Sequence, residues 1–320
     1  MFAVDDAVTM GRPDVSERAL GLPLEVVIAW VPYGLVTCAI VVTYSRIPAR
    51  ELYHVSHDGI AGGASRALVF ANFSTALAAL AILAVLFDRL PGRLARLVAV
   101  AAAVLCAVVF WPGVVSQANL DAKPANAPAA AGVLLALGLT VHAARACRVC
   151  VRPWQGPDWG RLGLAAVVGF IALPWIGAEL GFFLDGVPLL GSIFQTGKHI
   201  RDVQGLSAFP PAVHHGHHHG MDGLLLVLTA LLLSRVVGSL RSRALRTAFA
   251  AYLALMFCYG VGNIANDFWL EQVVKRGWTT WEIPNVLEPR ITVAWAIIVI
   301  VAAAIWTFVM LREREGRVRL

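Results

Sequence analysis

The stretch Val293-Ala-Trp-Ala-Ile-Ile-Val-Ile-Val-Ala-Ala-Ala-Ile-Trp306 has only apolar and aromatic side chains, and it is the centre of a longer apolar segment, 290–311. A helix of about 20 residues is needed to cross the roughly 30 Å hydrocarbon core of a bilayer. A helix also satisfies its backbone hydrogen bonds within its own segment, which lipid requires. The segment therefore predicts a transmembrane helix.

Apolar segments of this kind recur along the chain. The others cover residues 24–44, 66–87, 94–112, 128–146, 162–184, 223–240 and 244–264. The whole chain is 58% hydrophobic and 14% charged, which lies far from the composition of soluble globular proteins. We therefore predict an all-α, polytopic integral membrane bundle of about eight transmembrane helices. Because 94–112 and 223–240 are the shortest segments, seven spans is the alternative.

The connections between the segments are short, which predicts one membrane domain at 23–312 with tails at 1–22 and 313–320. The first tail is mixed in charge, unlike a signal peptide. Most of the 26 Lys and Arg residues lie in the tails and in the second, fourth and sixth connections. The positive-inside rule then predicts cytoplasmic termini and a multi-pass protein of the plasma membrane. Its net charge of +6 indicates an anionic lipid surface as partner, and no motif indicates nucleic acid.

Histidines are concentrated in the connections that this topology places outside the cell. The connection 185–222 contains a run of five, His214, His215, His217, His218 and His219, followed by Asp222. His54 and His57 lie in the first outward connection beside Asp58, and a helical turn would place both on one side. Every histidine except His142 falls on this face. Since imidazole is a common metal ligand that titrates near neutral pH, the sorting favours one histidine site.

Acidic side chains point to the same face. Glu179 lies near the outer end of its segment, where a carboxylate is costly unless it is paired or faces a cavity, and Pro174 predicts a kink beneath it. Asn263, Asp267 and Glu271 recur every four residues, which predicts a polar stripe on one helix face. The stripe would supply oxygen ligands or carboxylates that orient metal-bound histidines.

Each of these features has a structural alternative. The stripe is also typical of a helix that emerges from lipid into water, and Glu179 would equally suit an ion pair with an arginine between helices. A histidine run can also bind metal adventitiously, as an engineered tag does, without being a selected site. His54 and His57 also suit an interfacial loop. Asn72 and Ser74, inside an apolar segment, indicate hydrogen bonds between helices rather than a site.

The candidate residues follow from these patterns. The candidate metal ligands are His214, His215, His217, His218, His219, His54, His57 and Asp267. The candidate catalytic residues are Glu179, Asp222 and Asp58. Histidine with carboxylate favours zinc or iron, with copper or manganese as alternatives.

The leading hypothesis is a membrane metalloenzyme, a hydrolase or an oxidoreductase, whose site at the outer interface favours a lipid-like substrate. The alternatives are a divalent-metal or small-solute transporter with an outer capture loop, and a metal- or pH-sensing membrane protein. The HxxHH spacings at 214–218 and 215–219 resemble one box of the membrane fatty acid desaturases and hydroxylases. That family uses several boxes on the cytoplasmic side, so none of its activity is carried over.

The cysteines add little to this hypothesis. Cys38, Cys106 and Cys258 lie inside apolar segments, where a small apolar side chain is expected. Cys147 and Cys150 form a CxxC motif at the cytoplasmic end of the fourth segment, but a zinc site needs a second ligand pair.

Overall fold

The computed structural model describes residues 21–52, 55–115, 120–183, 187–188, 191–194, 212–215 and 219–318. Its α-helices are α1 Leu24–Tyr44, α2 Gly59–Phe70, α3 Ala76–Arg89, α4 Arg93–Ala107, α5 Ala127–Ala146, α6 Gly156–Ile171, α7 Leu173–Glu179, α8 Gly191–Phe194, α9 His219–Ser234, α10 Arg243–Trp269 and α11 Val293–Val318. Two short strands, β1 Leu22–Pro23 and β2 Val149–Cys150, pair in parallel. The described fold is therefore all-helical apart from this small ladder.

Six helical segments are long and apolar enough to cross a membrane. They are Leu24–Tyr44, Gly59–Arg89, Arg93–Phe110, Pro124–Ala146, Arg243–Val274 and Val293–Leu311. A seventh is obtained if the bent pair α6 and α7 counts as one span. The helices indicate a multi-pass membrane protein, but they support six or seven spans among the described residues rather than eight.

The fifth apolar segment is a broken helix. α6 ends at Ile171, α7 begins at Leu173, and the two axes differ by 61°. Pro174 lies in the first turn of α7, where its missing N–H costs no hydrogen bond. The kink predicted at Pro174 is present, and it separates two helices. Glu179, the last residue of the short α7, is buried in the interior.

The sixth apolar segment differs most from its prediction. α9 has 16 residues, about 24 Å at 1.5 Å per residue, and it begins at His219 rather than at 223. It is buried along most of its length and packs against α10, α1, α3, α6 and α7. Its contact with α10 is close, since a Cβ on Gly223 would lie 2.5 Å from the Gly260 carbonyl oxygen. Small residues at this crossing let the two backbones touch, as is typical of membrane helices.

Two single-turn π-helices interrupt the ladders of long spans. One covers Ala71–Thr75 between α2 and α3, and the other covers Leu270–Val274 after α10. A π-turn inserts an extra residue and reorients the side chains around it, and such turns are frequent at functional sites. Here they turn Asn72 and Ser74, and Glu271 and Gln272, into the protein interior.

Contacts between the connections define two ends of the bundle. At the arginine end, β1 pairs with β2, Arg152 contacts Arg235, and the Arg241 amide donates to Asp88. At the carboxylate end, four buried acidic side chains gather beneath the other connections: Glu179, Asp222, Asp267 and Glu271. The N-terminal segment from Gly21 and the connections after α3, α5 and α9 thus share one end, as the basic residues predicted.

Candidate functional site

Asp267 holds the start of α9. Its Oδ2 accepts a 2.6 Å hydrogen bond from the Gly220 backbone N–H, one of the amides that have no partner within the helix. A carboxylate at a helix N-terminus also interacts favourably with the helix dipole. His219 to Asp222 consequently belong to the first turn of a helix, whereas the sequence placed them in the loop 185–222.

Glu271, one turn further along the stripe, joins three elements. Its Oε2 accepts from the indole N–H of Trp175 on α7 at 2.8 Å, and its Oε1 lies 3.2 Å from the Lys275 ammonium. It also accepts a backbone hydrogen bond from His214. Asn263, Asp267 and Glu271 are all buried, so the alternative that the stripe faces water is wrong. The stripe instead fastens α7, α9 and the 212–215 segment to α10.

His214 and His215 pack against the bundle, each with its own partners. The ring of His215 stacks on Phe183 with 4.4 Å between centroids, and its Nδ1 lies 3.0 Å from the Ala178 carbonyl oxygen. Burial lowers the pKa of His215. Burial also lowers the pKa of His214 to about 4, and the positive charge of Lys275 adds to this effect.

His57 and Asp58 lie away from these histidines. The His57 imidazole is exposed, and its Nδ1 is 3.4 Å from Oδ1 of Asp121. The pKa of Asp121 is lowered because hydrogen bonds from Ser56 and His57 together outweigh the opposing effect of burial. Asp58 accepts from the Ala49 amide at 2.6 Å and thereby fixes the connection before α2. His54, His217 and His218 lie outside the described residues.

Glu179 connects α7 to the end of α1. Its Oε2 accepts a 2.8 Å hydrogen bond from the Tyr44 hydroxyl, and its backbone carbonyl accepts from Thr43. The positive charge of Arg66 also acts on it. Glu179 is therefore buried with a tyrosine hydroxyl as its hydrogen-bond partner and under the influence of an arginine charge, while its catalytic role stays a prediction.

Arg66, Asn72, His219 and Asp222 line one small cavity of about 30 Å³. Asp222 accepts a 2.8 Å hydrogen bond from Ser74, while the charge of Arg66 acts on both Asp222 and His219. Both polar atoms of the buried Asn72 amide lack a hydrogen-bond partner among the described residues. A cavity of this volume holds about two water-sized groups. A carboxylate, an imidazole, a guanidinium and an amide without a partner among the described residues therefore line the same cavity.

A larger apolar cavity of about 330 Å³ adjoins the small one. Its walls include Tyr252, Met256, Tyr259 and Trp295, and it shares Phe73, Val115 and Leu287 with the polar cavity. Apolar walls next to a few convergent polar groups are typical of ligand sites. The pair has the shape and chemistry to take a molecule with an apolar body and a polar end.

Sequence reasoning missed Arg66 and the role of Asn72. Arg66 was treated as the start of an apolar segment, although the helix begins at Gly59 and buries Arg66 two turns inside. A buried arginine in a membrane span is itself a functional signal. The interpretation of Ser74 as a hydrogen-bond partner between helices is confirmed by its bond to Asp222.

The candidate metal ligands do not assemble into a site within the described residues. No three His, Cys, Asp or Glu side chains there lie close enough together to hold a metal ion. His219 and Asp222 share a cavity, whereas His214, His215, His57 and Asp267 have separate partners. A further ligand would have to come from outside the described ranges. No family model, no curated protein and no solved structure matches this chain.

Proposed function

We propose that the protein is a membrane enzyme that acts on a lipid-like substrate at the carboxylate end of the bundle. One observation carries the proposal: the apolar cavity and the polar cavity share Phe73, Val115 and Leu287. An amphiphile whose apolar part fills the larger cavity would bring its polar group beside Arg66, His219 and Asp222.

The polar side chains suit hydrolysis or a related transfer reaction. Arg66 would stabilise negative charge that develops on a substrate oxygen, an effect that is strong in a site without bulk water. Asp222 and His219 would take and return the proton that such a reaction moves. Asn72 would orient the polar group through its amide. Glu179 lies close enough to this centre for the charges of Arg66 and Asp222 to act on it.

The proposal places a metal ion outside the small cavity. A cation inside the small cavity would lie next to the Arg66 guanidinium, and like charges at short distance repel in a low dielectric. We therefore assign a metal, zinc or iron, to the run 214–219 with ligands from His217 and His218. Zinc would supply an activated water for hydrolysis, and iron would indicate oxidation.

The catalytic part is tested with the full chain in liposomes made from a total lipid extract. Untargeted mass spectrometry should show one lipid class consumed and a product formed. In Asp222→Asn the rate should fall about 10²- to 10⁴-fold, the usual contribution of a general acid or base. Asp121→Asn, a carboxylate at the same end that does not line the cavity, is the matched control. Equal rates in wild type and Asp222→Asn would overturn the proposal.

Occupancy of the apolar cavity is tested separately with a photoactivatable lipid. Met256→Trp fills the cavity and should reduce labelling, whereas Leu134→Trp changes an exposed lipid-facing position and should not. Equal labelling of the two variants would contradict a lipid in this cavity.

The metal part is tested by elemental analysis of protein purified through a non-histidine tag. About one equivalent of a single metal per chain is expected, as for a site with selected ligands. His217→Ala combined with His218→Ala should remove it, and His142→Ala should retain it. Metal retained by the double variant, or a sub-stoichiometric mixture in the wild type, would remove the metal and leave the cavity proposal standing.

A further inference from the structure

The arginine end contains a third cavity, a cleft of about 1370 Å³ whose walls are strongly basic. Five arginines line it: Arg89, Arg148, Arg152, Arg161 and Arg235. Asp158 is the single acidic side chain among its described lining residues. The cleft lies between the turn after α3, the β2 strand with its following loop, and the end of α9.

The carboxylates near the cleft are shared between several arginines. Asp158 pairs with Arg161 at 2.9 Å and with Arg235 at 3.2 Å. Glu25 lies 3.3 Å from Arg235, and its charge also acts on Arg152. Burial is the largest effect that lowers the pKa of Arg152, and the neighbouring charge of Arg235 lowers it further. The cations of the cleft therefore outnumber the anions that neutralise them.

Arg148 and Arg152 are the arginines best placed for a ligand. Arg148 is exposed at the cleft wall, and within the described residues no carboxylate lies within ion-pair distance of it. Arg152 is half-buried and donates one N–H to the Arg235 carbonyl oxygen, which leaves the rest of its planar fork for other acceptors. Guanidinium groups match phosphate geometry with paired hydrogen bonds, and several of them suit an anion of more than one charge.

The cleft also lies beside aromatic side chains typical of a membrane interface. Trp154 and Trp159 are exposed and pack edge to face, and the Arg235 guanidinium lies 5.6 Å from the centroid of the Trp154 ring. Exposed tryptophans mark the level of lipid headgroups in membrane proteins. A ligand in this cleft would therefore be reachable from both the headgroup layer and the adjoining water.

We propose that the cleft at the arginine end binds a phosphate-bearing anion, held by Arg148 and Arg152. The two sources of this chemistry are the headgroup of an anionic phospholipid and a soluble phosphate. This site is independent of the cavities at the carboxylate end, so its test and theirs fail separately.

The experiment follows the thermal unfolding of the full chain in neutral detergent. The probes are inorganic phosphate and phosphatidylglycerol, with potassium chloride of equal ionic strength and phosphatidylcholine as references. Inorganic phosphate or phosphatidylglycerol should raise the unfolding temperature in a saturable manner, beyond the effect of its reference. Stabilisation by phosphatidylglycerol alone identifies a lipid headgroup site, and stabilisation by inorganic phosphate identifies a site for a soluble anion.

Arg148→Gln combined with Arg152→Gln is the decisive variant. Its apparent Kd for the stabilising probe should rise about tenfold or more, since a hydrogen bond to a charged group commonly contributes that much binding free energy. Arg145→Gln with Arg243→Gln removes the same charge from exposed positions at the same end and should bind within about twofold of wild type. If the first variant does not fold, the exposed Arg148→Gln alone should weaken binding in the same direction.

Two results would overturn the proposal. One is the lack of stabilisation by either phosphate-bearing probe beyond its reference. The other is an equal loss in both double variants, which would assign the effect to the diffuse positive charge of this end rather than to the cleft.

Discussion

The two ends of the bundle handle buried charge in opposite ways. At the carboxylate end, Asp222, Glu179 and Asp267 accept hydrogen bonds from neutral donors, and Asp222 lines a cavity of about 30 Å³. At the arginine end, guanidinium groups pair with shared carboxylates around a cleft of about 1370 Å³. The first end buries its carboxylates beside small or apolar cavities, and the second opens into a wide, basic cleft.

The two ends are therefore suited to different functions, chemistry at the carboxylate end and anion binding at the arginine end. A buried carboxylate is stable only with hydrogen-bond donors at fixed positions, so the carboxylate end is preorganised for chemistry on one group. A cluster of arginines in a wide cleft attracts anions with less demand on geometry. Substitutions should therefore be costly at the carboxylate end and mild at the arginine end.

The largest effect is expected for Trp175→Ala. Trp175 is fully buried, its ring packs against Gly220, and its indole N–H donates to Glu271. Losing this side chain should reduce the free energy of unfolding by about 3–5 kcal/mol, as for other buried tryptophans. Trp159→Ala, at an exposed position of the arginine end, should change it by less than about 0.5 kcal/mol. Denaturant titration in detergent measures both, and similar losses would erase the contrast.

A smaller loss is expected for Asp267→Ala. The Gly220 N–H would remain buried without its acceptor, which should cost about 1–3 kcal/mol of unfolding free energy. Asp267→Asn keeps an oxygen acceptor and should cost less. Hydrogen exchange of the first turn of α9 locates the effect. An Asp267→Asn loss as large as that of alanine would show that the negative charge, rather than the cap, is what matters.

The pH dependence should appear in the 212–215 segment at the carboxylate end. His214 is packed as a neutral imidazole, with its pKa lowered by burial to about 4. When the segment is released, His214 regains an ordinary pKa of about 6.5, so the released form binds a proton at a higher pH than the packed form does. The packing should therefore be complete above pH about 6.5 and should weaken as the pH falls towards 4. Hydrogen exchange, corrected for the intrinsic pH effect, should show this opening.

A variant with His214→Gln and His215→Gln should lose that pH dependence, because neither replacement titrates. Opening of the same size in the variant would assign the acid sensitivity to the carboxylates instead.

The smallest effect is expected for Arg161→Gln at the arginine end. Its guanidinium is partly exposed and bonds to Asp158 and Ser234. Pairs of this kind contribute about 0.2–1 kcal/mol, and salt screens them. Unfolding in low and in high potassium chloride should show a loss that shrinks with salt. A loss comparable to that of Asp267→Ala would mean that this end is as tightly organised as the other.

The apolar segments and the sharing of ends by the basic connections were predictable, since span length and the positions of Arg residues are properties of the sequence. The number of spans was not. α9 begins at His219 because Asp267, which is 47 positions further along the chain, accepts from Gly220. The helix break lies at Ala172, between the end of α6 at Ile171 and the start of α7 at Leu173, and Pro174 occupies the first turn of α7.

The candidate site was predictable only in part. Glu179 was chosen because charge is costly in lipid, His219 and Asp222 because they belong to the histidine run and its following carboxylate, and the structure buries all three. Arg66 and Asn72 were missed as members of a site because their convergence depends on how α2, its π-turn and α9 cross. The cleft at the arginine end was missed because its arginines come from three separate stretches of the chain, at 89, 148–161 and 235, each of which looks like ordinary positive-inside charge.

The sequence by itself was enough to predict an all-helical, multi-pass membrane protein whose basic connections share one end, because apolar length and charge act locally. The tertiary structure decided which polar groups meet, because a cavity is formed by side chains from different helices. Asp222 has a partner in Ser74 and a charged neighbour in Arg66 only once α9 packs beside the π-turn. Hydrophobicity places each helix in the membrane, and packing decides what its few polar side chains can do.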